Sequence, residues 1–299
     1  MIRKNSAART FLCLLLAFVF AASCLPQTIF ATTDKKTVTT WPEGPENNSG
    51  AVCLLDADTG AVLYDKNMDE QRYPASITKI LTALLIIENK QMTDTVTFGE
   101  HAVSESIPGN ARINVQLGES FTVEDALHAI LLASGYEGCT QLAIDIAGSE
   151  EGFAAMMNER AAALGCTNTH FVNANGLPDE DHYTTVYDMY LIFQEAIQTQ
   201  DFIDIIHTKS YDAAYQNASG NTVTQTWEST NRYLNGQTTE PEDITVIGGK
   251  TGTTNAAGYC LVLYSKNKKG DDIVSIVYKG KTRSDMYTLM NQILSTFAN

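Results

Sequence analysis

Apolar β-like stretches lie near both ends of this chain, and the long segment between them is helical in pattern. Ala51 to Asp56 and Ala61 to Tyr64, joined through Ala-Asp-Thr-Gly60, read as a hairpin with a glycine-bearing turn. Ile244 to Ile247, Gly258 to Tyr264 and Ile273 to Tyr278 are short β-like runs toward the other end. Ile77 to Glu88, Val123 to Leu132, Thr140 to Ile146, Gly152 to Leu164 and Tyr187 to Thr199 read as helices, rich in Ala and Leu. Met286, Leu289, Met290, Ile293, Leu294 and Phe297 fall on one face of a last helix, which is expected to pack on a sheet. The pattern predicts an α/β (α+β) unit: an antiparallel sheet formed by both chain ends, flanked by helices, with a mostly helical insert over about 90–205.

Of 299 residues, 44% are apolar and 18% charged, enough to bury a substantial core. Lys and Arg number 20 against 35 Asp and Glu, a net charge of −15 that repels phosphate backbones and argues against nucleic acid as a partner. The basic residues Arg3, Lys4 and Arg9, the apolar run Phe11 to Ala22 and a small residue at Ala31 read as an export signal over 1–31. The protein is therefore expected outside the cytoplasm. A competing lipid anchor at Cys24 finds Ala21 where Leu is usual; membrane association is expected only through that lipid or an uncleaved signal. Residues 32–49, rich in Thr, Asn, Pro and Gly, read as a flexible tether before a single catalytic domain over 50–299. Cys53, Cys139, Cys166 and Cys260 lie in apolar stretches and read as small buried hydrophobes. Five His fall in no zinc-binding spacing, so no metal and no cofactor are expected.

Ser76-Ile-Thr-Lys79 opens the helix after Tyr73-Pro74-Ala75. Positions i and i+3 share a helical face, so the Lys79 amine can reach the Ser76 hydroxyl. Unpaired N–H groups at the helix start favour developing negative charge and an uncharged amine, which can accept the serine proton. The plain alternative is a helix-capping serine. A second Ser-x-x-Lys, Ser265 to Lys268, lies in a polar turn that could not hold it rigid. A second element is Gly248-Gly-Lys250-Thr-Gly-Thr253, between two apolar strands. Lys250 and Thr251 on a strand edge can bind a carboxylate, and Gly252 lets a ligand approach the backbone.

Ser76-x-x-Lys79 followed by Lys250-Thr-Gly252 resembles the penicillin-interacting serine enzymes. Within them the chain is similar to the D-alanyl-D-alanine carboxypeptidases of low-molecular-mass penicillin-binding type. Further matches are Pro74 to Lys79, Phe171-Val-Asn-Ala-Asn-Gly-Leu177, Asp181-His-Tyr-Thr-Thr185 with Asp188, and Thr230-Asn-Arg-Tyr-Leu234. The third family element, Ser-x-Asn, departs: its expected place reads Ser134-Gly-Tyr136, while a literal Ser219-Gly-Asn221 lies in a polar stretch and is set aside.

The resemblance implies the penicillin-binding/β-lactamase-like fold and removal of a terminal D-Ala from peptidoglycan stem peptides, with β-lactams as covalent inhibitors. In that chemistry Ser76 attacks, Lys79 is the base and Ser134 relays a proton to the leaving amine. Lys250 and Thr251 hold the terminal carboxylate, and the N–H groups of Ser76 and Thr253 bind the oxyanion. Tyr136 stands where the family's substrate-positioning Asn is expected and offers a hydroxyl instead. His182 is read as structural and Asp188 as a cap on the Tyr187 helix. The alternatives are a serine β-lactamase, for which a Glu-bearing deacylation loop is not found, and a silent peptidoglycan-binding relative, which Tyr136 alone favours.

Overall fold

The computed structural model describes residues 44–45, 47–104 and 111–299; the expected signal, Cys24 and most of the tether lie outside them. Two strands come first, β1 (Ala51–Asp56) and β2 (Val62–Lys66). A 3-10 turn (Ala75–Thr78) leads into α1 (Lys79–Asn89). The middle holds β3 (Thr95–Thr97), α2 (Glu100–Ser104), β4 (Ser120–Thr122), α3 (Val123–Leu131), α4 (Tyr136–Ala147), α5 (Glu150–Ala163), α6 (Val186–Ala196) and α7 (Gln200–His207). Then follow β5 (Ser210–Gln216), β6 (Thr222–Glu228), β7 (Ile244–Thr254), β8 (Gly258–Asn267), β9 (Asp272–Gly280) and α8 (Arg283–Phe297).

The main sheet runs β2-β1-β9-β8-β7, and its paired strands are all antiparallel. Both chain ends therefore complete it, as the sequence pattern requires. Side chains alternate across β1: Val52 and Leu54 join the layer under α8, while Ala51, Cys53 and Leu55 face the helical side. On α8, Met286, Leu289, Met290, Ile293 and Leu294 are buried against that first face, each contributing roughly 1.5–3 kcal/mol of transfer free energy. The other face packs on the helical region, where α1 is buried from Lys79 to Ile86.

A second sheet, β3-β4-β5-β6, lies within and after the insert and was not anticipated. Its strands β5 and β6 alternate in burial, Tyr211, Ala213 and Tyr215 and then Val223, Gln225 and Trp227 facing inward between exposed residues, but only a few of the inward positions are fully buried. Phe121, Tyr215 and Trp227 form its aromatic core. Ser219-Gly-Asn221 falls in the β5–β6 connection, where Asn217 Oδ1 accepts from the N–H groups of Ser219 and Asn221. Residues 47–49 are held to the main sheet: Lys66 Nζ donates to Asn47 O and Ser49 O, each at 2.9 Å. Cys53, Cys139, Cys166 and Cys260 are free and buried. Among the described residues no helix is long and apolar enough to cross a membrane.

Candidate active site

A cleft of about 150 Å³ opens between the 3-10 turn, the end of α3, the 175–176 loop and the outer edge of β7. Ser76, Lys79, Ser134, Asn175, Thr251 and Thr253 line it. Ser76 sits in the 3-10 turn rather than the first turn of an α-helix. Pro74 and Thr78 occupy the cap positions, and Ser76 Oγ meets Lys79 Nζ at 3.2 Å.

Lys79 is 2% exposed, and its Nζ also donates to Asn175 O at 2.5 Å. Burial pushes the amine below its ordinary range, an effect partly opposed by Cys139 and the Glu137 carboxylate. An uncharged amine has two N–H groups and one lone pair. It can donate to Asn175 O and direct the lone pair at Ser76 Oγ, the arrangement a general base needs.

The carbonyl of Asn175 is held by its own turn. Asn173 Oδ1 accepts from Asn175 N and Gly176 N, and Thr82 Oγ1 donates to Ala174 O at 2.6 Å. Gly176 has φ +86, and a Cβ there would lie 1.9 Å from Ala75 O. Only glycine allows this loop to meet the nucleophile turn so closely. Ala75 itself has φ +51, so the residue before the nucleophile is in the left-handed region.

Ser134 follows α3 with φ +64 and is 7% exposed. Its Oγ accepts from Lys250 Nζ at 3.1 Å. Lys250 is 1% exposed, and burial beside Lys79 pushes its pKa down to about 7. Lys250 thus faces Ser134 and does not line the cleft, where a direct carboxylate contact was expected. What β7 presents there is Thr251, whose Oγ1 lies 2.7 Å from Thr230 Oγ1. The cation lining the cleft is Arg283, the first residue of α8, with its guanidinium 5.8 Å from the centre of the Tyr259 ring. Sequence reasoning placed Arg283 only at a helix start; the signal it lacked was the pairing of Tyr259 with Thr253 across β8 and β7.

Tyr136 is 1% exposed and does not line this cleft; its ring lies 5.3 Å from the Arg112 guanidinium. At the first turn of α4 its neighbour Glu137 is fully buried and gathers the segment opposite. The Glu137 carboxylate accepts from Arg112 Nε, Ile113 N and Asn114 N, while Tyr136 N donates to Ala111 O. Ala111 lines the cleft, so the start of α4 fixes one of its walls.

His182 braces the nucleophile segment. Its Nδ1 accepts from Val172 N, which leaves Nε2–H to donate to Thr78 Oγ1 at 2.9 Å. Burial lowers its pKa to about 4. Asp188 does not cap α6, because Thr185 does, its hydroxyl accepting from Asp188 N. The Asp188 carboxylate instead takes Asn168 N and the Thr169 hydroxyl.

The family model described as D-alanyl-D-alanine carboxypeptidase, peptidase S11, matches residues 37–282. D-alanyl-D-alanine carboxypeptidase DacF of Bacillus subtilis is 36% identical over 248 residues, 81% of this chain and 60% of the relative. DacC of Escherichia coli is 31% identical over 249 residues, 80% of this chain and 58% of the relative. This chain thus spans about 60% of the length of these curated relatives. The crystal structure of the Streptomyces K15 DD-transpeptidase superposes with a TM-score of 0.78 at 26% identity, covering 85% of this chain and 98% of that one. The carboxypeptidase DacD of Francisella tularensis gives 0.75 at 26% identity, covering 89% and 73%.

Proposed function

This chain belongs to the peptidase S11 family of D-alanyl-D-alanine carboxypeptidases, and from that premise we propose that it removes the terminal D-Ala from peptidoglycan stem peptides through an acyl-enzyme on Ser76. The observation that carries this reading is the buried Lys79 amine 3.2 Å from Ser76 Oγ, in a cleft that also presents Ser134 and Thr251.

Ser76 Oγ attacks the carbonyl carbon of the penultimate D-Ala while Lys79 Nζ takes its proton. The oxyanion sits between the N–H groups of Ser76 and Thr253, β7 being the open edge of its sheet. As the C–N bond breaks, Ser134 passes a proton to the leaving amine and D-Ala departs. Lys250, donating to Ser134 Oγ, orients and polarises that hydroxyl. Burial lowers the pKa of both lysines, and the charge of Lys79 lowers that of Lys250 further. Thr251 and Arg283 bind the substrate's terminal carboxylate, with Lys250 behind them supplying field rather than contact. Water then cleaves the Ser76 ester.

A β-lactam presents the same carbonyl and carboxylate, so it acylates Ser76 as an inhibitor. The substrate lies outside the cytoplasm, in keeping with the export segment expected at 1–31. The silent-relative alternative rested on Tyr136, and the burial of its ring behind the cleft wall weighs against a decisive role for it. The test is D-Ala release from an acyl-D-Ala-D-Ala peptide by the wild type beside Ser76→Ala. Release by the first and none by the second supports the reading; equal release by both, or none by either, overturns it.

A further inference from the structure

Asn175 brings two unlike groups to the cleft. Its backbone carbonyl receives the Lys79 amine, while its side chain, 5% exposed, belongs to the cleft wall. The side-chain Oδ1 accepts from Leu177 N at 3.0 Å, two residues further on, and this turn fixes the carboxamide. Nδ2 is the end left over. Among the described residues it donates to none, and unlike the unpartnered Asn231 Nδ2 it is not sealed from the surface. A donor in so buried a wall is costly to leave unpaired once a ligand displaces water from the cleft.

Of the residues lining the cleft, Asn175 alone carries a carboxamide. The other polar groups near it are committed. Ser134 Oγ accepts from Lys250 Nζ, Lys79 Nζ meets Ser76 Oγ, and the carbonyl of Ala111 accepts from Tyr136 N. Tyr136, at the position where a substrate-positioning Asn is expected, is buried and does not line the cleft. The amide missing from that position is present on the 175–176 loop.

The proposed reaction fixes what arrives there. β7 is the open edge of the main sheet, and a peptide laid against it is extended. Successive carbonyls of an extended chain point to opposite sides. The scissile carbonyl turns toward β7, at the N–H of Thr253. The carbonyl one residue earlier therefore points away from β7, toward the walls that hold Ser134, Ala111 and Asn175. We infer that Asn175 Nδ2 donates to this earlier carbonyl oxygen and so selects substrates acylated on the nitrogen of the penultimate D-Ala. One residue then serves both partners in the reaction, its backbone holding the base and its side chain holding the substrate. The assignment rests on the direction of binding under the proposed function.

The experiment compares an acyl-D-Ala-D-Ala peptide with an analogue in which a trans alkene replaces the acyl CO–NH. Both release D-Ala. Asn175→Asp keeps the Oδ1 acceptor and the shape but replaces the donor with an acceptor; Asn175→Ser keeps an oxygen for Leu177 N and adds no charge. Asp also places an anion beside Lys79 and slows both substrates, so the readout is the ratio of kcat/KM between them. Each variant should lower the preference for the acyl peptide by about 3- to 10-fold, the worth of one neutral hydrogen bond. Whatever preference remains belongs to the N–H lost with the carbonyl. Tyr136→Phe should leave the ratio unchanged. A ratio unaltered in both Asn175 variants, or one lowered by Tyr136→Phe instead, would overturn the contact. Calorimetric binding of the two ligands to Ser76→Ala, with and without Asn175→Ser, reads the same ratio without turnover. A ratio lowered there by Asn175→Ser, with no D-Ala release by the wild type, would uphold the contact and overturn the enzymatic reading instead.

Discussion

Gly176→Ala places a methyl group against the backbone that carries the nucleophile. The new Cβ would lie 1.9 Å from Ala75 O, 2.4 Å from Ala75 C and 3.0 Å from Ser76 N. None of these is the end of a flexible side chain, so the turn must retreat by about 1 Å before the contact is tolerable. The left-handed φ of +86 adds roughly 1–2 kcal/mol. With about 1–3 kcal/mol for the overpacked contact, urea denaturation should show a loss of roughly 2–5 kcal/mol. A displacement of about 1 Å at a reacting atom costs on the order of 10²-fold, so acylation by a fluorescent penicillin should slow by that factor. Gly148→Ala is the matched control: its φ is +80, with nothing within 4 Å of the added Cβ. It should lose the dihedral contribution alone and acylate at the wild-type rate. If Gly176→Ala acylates within threefold of Gly148→Ala, the close approach does not position Ser76 and the reasoning fails.

Two further outcomes follow from the site. His182 is buried neutral with its pKa lowered to about 4 from 6.5, so the unfolded chain binds the extra proton between those values. Its contribution is full above pH 6.5 and is lost as pH falls toward 4, by about 3 kcal/mol; urea unfolding of wild type and His182→Gln should converge over that interval, and a constant difference would contradict it. Arg283→Gln should reduce kcat/KM about tenfold or more for a peptide ending in a free carboxylate but leave its C-terminal amide analogue unaffected, whereas equal losses on both would remove Arg283 from carboxylate binding.

Much of this architecture is legible locally. The 51–64 hairpin, the helices and α8 announce themselves through apolar spacing, and Ser76 with Lys79 are brought together by helical periodicity alone. What escaped depends on contacts between distant segments. Nothing near residue 175 says that its carbonyl receives the Lys79 amine 96 positions away. Lys250 reads as a strand-edge cation, yet its partner Ser134 arrives from the far side of the insert. Arg283 reaches the cleft only because β9 and β8 carry the start of α8 back toward Thr253. The small sheet was obscured because the inward face of β5 and β6 is carried by few apolar side chains, Tyr211, Ala213 and Tyr215 and then Val223 and Trp227, set among exposed Thr, Asp and Gln. Asp188 looked like a cap because it lies near a helix start, but the hydroxyl of Thr185, three residues earlier, holds that position.

The central claim is an uncharged Lys79 amine that takes the Ser76 proton, and Lys79→Arg tests it most directly. Arginine carries a permanent positive charge and cannot deprotonate in a protein, so it offers no lone pair to the Ser76 proton. Intact-mass spectrometry after a timed exposure to penicillin should show one acyl group on the wild type, mapped to Ser76. It should show none on Lys79→Arg, with acylation slower by about 10³-fold or more. Acylation of Lys79→Arg at the wild-type rate, or an adduct on any residue other than Ser76, would contradict the account.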